Sequence, residues 1–101
     1  MLRQEIVSEN EIRLVLSGPL YGDAGAEFER KLEALCDGIF LVITLDLSMA
    51  VGITSPAIAK LVSVQRRLLA QNRSLRINGC SEVLSRIFTK IKLDTLIQIT
   101  R

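Results

Sequence analysis

Residues 40–56 read FLVITLDLSMAVGITSP, and the reading of this stretch decides the fold. Phe40 to Asp46 is apolar, rich in β-branched side chains and does not alternate. A short run of this kind predicts a strand covered on both faces, central in its sheet. Leu47-Ser48 and then Met49 to Thr54 read as the loop that follows it. Ser55-Pro56 opens a helix, because serine is a preferred N-cap and proline at the first helical position has no N–H to lose. Ile58, Leu61, Val62, Leu68 and Leu69 give that helix one apolar stripe, with Lys60, Arg66 and Arg67 mostly outside it. Gln71-Asn72 ends it. Residues 74–78, SLRIN, alternate and supply the next, half-buried strand.

The same reading extends in both directions. Ile6-Val7 and Ile12 to Leu16 flank the polar Ser8-Glu9-Asn10, which predicts an antiparallel hairpin ended by Gly18-Pro19. Ala24, Phe28, Leu32 and Leu35 repeat at helical spacing after Asp23, a candidate N-cap, and Asp37-Gly38 supplies a left-handed stop. Ser81 caps a short third helix with Val83, Leu84, Ile87 and Phe88 on its buried face. Leu96, Ile97 and Ile99 read as a short last strand or an extended tail. The order is β-β-α-β-α-β-α(-β): an α/β chain with a mixed β-sheet packed with helices.

The bulk properties agree with one domain over residues 1–101. Apolar residues make up 49% of the 101 and charged residues 24%, enough for a core without disulfides or metals. Cys36 and Cys80 stand far apart without CxxC spacing, and the chain has no histidine, so no metal site is expected. Two buried free thiols suit a reducing cytoplasm. The longest apolar run, Ile39 to Ile43, is too short to span a bilayer. Direct membrane insertion is therefore not expected.

Charge divides unevenly. Residues 1–50 hold four basic and nine acidic side chains (4 − 9 = −5), and residues 51–101 hold nine basic and two acidic (9 − 2 = +7). Either a basic surface meets an acidic partner, or the two halves fold together and the charges scatter. No run of Lys or Arg exceeds Arg66-Arg67, which favours scattering.

Catalytic chemistry is poorly supplied. No histidine is present to act as general base, and no G-x-G-x-x-G, P-loop or G-x-S-x-G occurs. Asp23, Asp37 and Asp46 read as caps or loop-edge residues. Aromatic content is 4% with one tyrosine and no tryptophan, too little for a nucleic-acid stacking platform. Neither a cofactor nor an enzymatic activity is expected.

Residues 41–99 resemble the STAS family, whose name stands for sulfate transporter and anti-sigma factor antagonist. Leu45-Asp46-Leu47-Ser48 matches the family's L-D-L-S strand end. Ile53 to Ile58 falls where Ile-Asp-Ser-Ser-Gly-Leu is expected. Leu16 to Leu20, Leu75 to Gly79, and Ile91 to Ile99 with Leu93 and Asp94 keep the family's register. The resemblance implies a STAS-like mixed sheet and a non-enzymatic regulatory module of the anti-sigma factor antagonist kind. It also implies a phosphorylation switch at Ser55, with Thr54 as a second hydroxyl. The implied partner is an anti-sigma factor or kinase-like ATPase, with a phosphatase to reverse the modification. Thr54, Pro56 and Ala57 depart from the family's Asp, second Ser or Thr, and Gly.

At a helix N-terminus a phosphate is tolerated by its own helix, while a docked partner would have to desolvate it, so the switch would act on binding. Ser55 as a plain N-cap is the alternative, and the two roles are compatible. Met49, Val51 and Ile53 make the preceding segment apolar for a connection. With Ala59 and Lys60 at the helix start they form the expected partner-binding surface. A constitutive STAS scaffold subunit of a transporter or signalling complex is the competing function. An enzyme or small-ligand domain would require a cleft lined by Asp46, Thr54 and arginines. The oligomeric state is left open.

Overall fold

The computed structural model describes residues 1–101. The elements are β1 (Leu2–Ile6), β2 (Glu11–Leu20), α1 (Gly22–Cys36), β3 (Val42–Ile53), α2 (Ser55–Leu69), β4 (Ser74–Cys80), α3 (Glu82–Lys90), a 3-10 turn (Leu93–Thr95) and β5 (Gln98–Thr100). The five strands form one sheet in the order β1-β2-β3-β4-β5. β1 pairs antiparallel with β2, and the other neighbours pair parallel. β3 is central, as its composition predicts.

Every helical crossover steps the same way across the sheet, from β2 to β3, β3 to β4 and β4 to β5. Right-handed crossovers therefore place α1, α2 and α3 on one face. Ile12, Leu14, Leu16, Ile43, Leu45, Leu47, Leu75 and Ile77 point into that layer and are buried. Phe28 and Leu32 of α1, Leu61, Val64 and Leu68 of α2, and Leu84 and Phe88 of α3 close over them.

The opposite face has no helix on it, so the expectation that β3 is covered on both faces is overturned. Polar side chains cover that face. Glu11 accepts hydrogen bonds from Thr44 at 2.9 Å and from Arg76 at 3.2 Å, and Arg13 donates to Asp46. Thr44 is 2% exposed because the Glu11 and Arg76 side chains lie across it. Asp46 is thus a mid-strand residue and not a loop edge.

These pairs also settle the uneven charge. Glu33 of the acidic half bonds Lys60 and Arg67, and Glu11 bonds Arg76 of the basic half. The halves interleave, as the scattering reading expects.

Both ends of α1 differ from their sequence reading. Its N-cap is Tyr21, and Asp23 lies in the first turn, where a carboxylate suits the helix dipole. Gly38 is not left-handed. Its N–H bonds Leu35 O at 3.1 Å, and Arg73, 7% exposed, also serves the last carbonyls of α1, donating to Leu35 O at 3.0 Å and Cys36 O at 2.8 Å. The same guanidinium reaches Phe40 O and Gln71 Oε1, each at 2.8 Å.

α2 ends as its sequence suggests. Asn72 takes φ 58°, Arg73 N–H bonds Leu68 O at 2.9 Å and Asn72 N–H bonds Leu69 O at 3.2 Å, a Schellman closure with asparagine at C′. Its buried stripe is Ala57, Leu61, Val64, Gln65 and Leu68, whereas Leu69 is 47% exposed. Gln65 is buried because both ends of its amide are used: Oε1 accepts from Leu75 N–H at 2.7 Å and Nε2 donates to Leu96 O at 3.0 Å. In α3, Ser81 is the cap as read, and Val83 is exposed rather than buried. Cys36 and Cys80 are buried free thiols.

Lys92, after α3, takes φ 62°. A side chain costs about 1–2 kcal/mol in this left-handed conformation, partly offset because glycine loses more entropy on folding. Lys92→Gly is expected to stabilise the chain by about 0.5–1 kcal/mol, read as a rise in the urea midpoint. A drop in the midpoint would mean that the lysine side chain contributes more than its backbone costs.

Candidate functional site

Two register breaks build the end of the sheet that leads into α2. Between Val15 and Ser17 on β2 the partner numbering jumps from Asp46 to Met49, and between Gly18 and Pro19 it jumps from Ala50 to Gly52. An extra residue in one strand flips the side-chain alternation beyond it. Ile43, Leu45 and Leu47 face the core before the break, and Ala50 and Gly52 do after it. Met49 and Val51 are thereby turned outward, at 65% and 60% exposed.

The sequence reading of a loop over Met49 to Thr54 is therefore corrected: β3 runs to Ile53. Pro19 likewise does not end β2, which continues to Leu20, since a proline at a register break has no ladder bond to lose. Ile53 is half-buried against the core.

β3 hands over to α2 at Thr54, which keeps extended backbone (φ −88°, ψ 159°). Its Oγ1 accepts a hydrogen bond from Ala57 N–H at 3.3 Å. Thr54 is the N-cap, and Ser55 is the first helical residue. The sequence Thr-Ser-Pro fits either frame, because both hydroxyls cap and proline is tolerated throughout the first turn. The extension of β3 decides between them. Ser55 is exposed and its hydroxyl lies outside the cap. Thr54→Ala is expected to cost about 1 kcal/mol, and Ser55→Ala less than about 0.5 kcal/mol. Comparing the two urea midpoints checks this, and equal losses would return the cap to Ser55.

Ala59 is exposed on the next turn, but Lys60 is not a free cation. Its Nζ donates to Glu33 Oε1 at 2.9 Å, and Arg67 takes the other Glu33 oxygen. Hydrogen bonds from Lys60 and then Arg67 hold the Glu33 carboxyl below the usual carboxylate range. Glu33 and Lys60 also line a cleft of about 340 Å³ between α1 and α2, with Ala26, Glu29 and Arg30.

Sequence reasoning missed two further parts of this end. Tyr21 is 52% exposed and its ring lies over Gly52, where an added Cβ would stand 1.9 Å from its hydroxyl. It adds an exposed aromatic ring at this end of β3, on the side of the strand that Gly52 faces. On the open face, Asp46 accepts from Ser48 N–H at 3.0 Å and Ser48 Oγ at 2.6 Å as well as from Arg13. Burial pushes the Asp46 carboxyl up, and the bonds from Ser48 and Arg13 outweigh it, so it sits below the ordinary carboxylate value. Gly79, φ 100°, abuts this carboxylate. Nothing in the sequence joins Arg13, Asp46 and Gly79, because only strand pairing brings them together.

Asp46 and Thr54 do not share a cleft with arginines: neither lines any of the cavities found. No group of three or more His, Cys, Asp or Glu side chains is placed to hold a metal ion. No helix is long and apolar enough to cross a membrane.

Comparison with known proteins gives a consistent picture. Residues 5–98 match the family described as Mlab, STAS domain. No curated protein matches. Among solved structures, the anti-sigma factor antagonist SpoIIAA in its unphosphorylated form superposes with a TM-score of 0.82 at 17% identity, covering 100% of this chain and 89% of that one. The phosphorylated form of SpoIIAA from Bacillus gives 0.78 at 16%, covering 100% and 92%. An anti-sigma factor antagonist from Mycobacterium paratuberculosis gives 0.85 at 14%, covering 99% and 84%. At these identities the likeness establishes the shared fold.

Proposed function

This chain belongs to the STAS family, and we infer that it is a non-enzymatic regulatory module that docks a protein partner at the β3–α2 end and is switched by phosphorylation of Ser55. The observation that carries this reading is the hydroxyl geometry. Thr54 makes the cap, so Ser55 Oγ is exposed and free for transfer without unravelling the helix. Met49, Val51 and Ala59 lie close by in the chain and provide the exposed apolar contact that a partner would cover. One structure of the same fold has been solved in phosphorylated form, which supports the reading by likeness.

A phosphate on Ser55 adds about −1.5 to −2 charges at the first turn of α2. The helix N-terminus tolerates it, so folding is little affected. A partner docked over Val51 and Ala59 would have to desolvate a dianion, and binding would weaken. The partner class is an anti-sigma factor or a kinase-like ATPase, with a phosphatase restoring the serine, and the compartment is the cytoplasm. Thr54 is the poorer acceptor because its hydroxyl already accepts from Ala57.

The test is the intact mass of the protein from its own cells, with peptide mapping across Thr54-Ser55. A phosphatase-sensitive mass gain of one phosphate on Ser55 is expected under one growth condition at least. An unmodified protein in both growth and stress, recovered in a complex of fixed stoichiometry, would leave the scaffold function in its place.

A further inference from the structure

Away from the β3–α2 end, one concave surface gathers charge largely of one sign. A cleft of about 370 Å³ runs along the outer side of α3, lined by Glu82, Ser85, Arg86, Thr89, Lys90 and Arg101. Residues 82, 86 and 90 recur at intervals of four, as do 85 and 89, so they share one helix face. Leu84 and Phe88 anchor the other face of α3 on the sheet, which makes the wall rigid. Arg101 comes from beyond β5 and closes the cleft from a different element. It lies near the end of β4 as well: burial pushes the Cys80 thiol up, and the positive charge of Arg101 works against that.

The lining side chains are all polar or charged. Among the lining side chains three are cationic and one, Glu82, is a carboxylate already bonded to Arg86. Lys90 and Arg101 have no acidic partner. A lysine in the last turn of a helix is favoured by the dipole alone, but Arg101 is not on the helix. Two hydroxyls one turn apart, Ser85 and Thr89, add neutral donors beside the cations. Guanidinium forks, an ammonium and hydroxyls converging on a small concave volume are the donor set a phosphate group takes.

We propose that this cleft binds a phosphate monoester, carried either by a small soluble molecule or by a lipid headgroup. The site is distinct from Ser55 and does not depend on its modification. Val83 and Ile91, next in the chain to the lining residues Glu82 and Lys90, are exposed. Glu82 is the one acidic side chain in the lining, so its neutralisation sets a sign that a merely solvated helix face would not show.

The experiment is a backbone amide NMR titration of the full chain with glycerol 3-phosphate at fixed ionic strength, beside co-sedimentation with phosphatidylcholine vesicles with and without phosphatidic acid. Saturable shifts confined to residues 81–90 and 98–101 are expected. The Arg86→Ala/Arg101→Ala double variant should weaken binding by about tenfold or more, the loss of charge-assisted hydrogen bonds. Lys90→Gln, on the exposed helix face, serves where the double variant does not fold. Glu82→Gln should tighten binding, while Lys92→Gly, outside the lining, should change it little.

Saturation without vesicle retention assigns a soluble ligand. Retention on phosphatidic acid vesicles that is lost in the cleft variants assigns a headgroup. A non-saturating drift of all Lys and Arg neighbourhoods overturns the proposal. So does a response indifferent to Glu82, or tighter binding of a triglutamate peptide than of glycerol 3-phosphate.

Discussion

Arg73→Met should lower the unfolding free energy by about 2–5 kcal/mol, because it leaves the Cys36 and Phe40 carbonyls without a donor at about 1–3 kcal/mol each, while Leu35 O keeps the Gly38 N–H. The guanidinium is the C-terminal cap of α1, supplied from the far side of α2: it bonds Leu35 O, Cys36 O and Phe40 O and is itself 7% exposed. Methionine preserves most of the volume, so the loss reports hydrogen bonding rather than a cavity. A lysine has its donors on one nitrogen and cannot span carbonyls that the planar fork reaches together, so Arg73→Lys is expected to recover only part of the loss. Against a typical total of about 5–15 kcal/mol, the methionine variant is near the edge of folding. Urea unfolding at 25 °C measures it, and a loss under about 1 kcal/mol would mean that water replaces the guanidinium at α1.

Gly79→Ala is the second large effect, expected at about 2–5 kcal/mol from two sources. Its φ of 100° lies outside the region side chains adopt, and an added Cβ would stand 2.6 Å from Asp46 Oδ1. The backbone part is about 1–2 kcal/mol and crowding adds about 1–3 kcal/mol when the neighbour cannot yield. Asp46 yields poorly, because Ser48 and Arg13 hold both of its oxygens.

A double-mutant cycle separates the two sources. In an Asp46→Ala background the crowding part should disappear and the backbone part remain. An unchanged cost in that background would place the whole effect in the backbone. Acidity adds an independent check. The Asp46 carboxyl is held below its ordinary value of 3.8, so its contribution is complete above that pH and fades as pH falls through the lower folded value. Displacing Asp46 with Gly79→Ala should shallow that acid-side loss.

The residues that read correctly from sequence are those whose neighbours in the chain carry the signal. Ser81 caps α3 and Asn72 closes α2, because both act on backbone within five residues. The apolar run before Asp46 marks the central strand, and the two Ser and Thr hydroxyls at 54 and 55 mark the helix start. What misread was non-local. Gly38 is a good local stop for α1, yet it is not left-handed: its N–H shares Leu35 O with Arg73, 38 residues later, which also takes Cys36 O. The apolar Met49 to Ile53 looked like a loop because a bulge breaks the alternation, and a bulge is defined by the partner strand.

The sequence by itself determined the element order, much of the core and the placing of a hydroxyl pair at the head of α2, since helix periodicity, β-branched runs and caps are properties of adjacent residues. Only the tertiary structure decided which hydroxyl is free. β3 stays extended through Ile53 by pairing with β2, so the cap falls on Thr54 and Ser55 is left exposed. It also decided that one face of the sheet is closed by ion pairs instead of helices, and that Lys60 is bound to Glu33. The physical reason is the same in each case: strand register and crossover handedness bring together residues that carry no mark of each other in the chain.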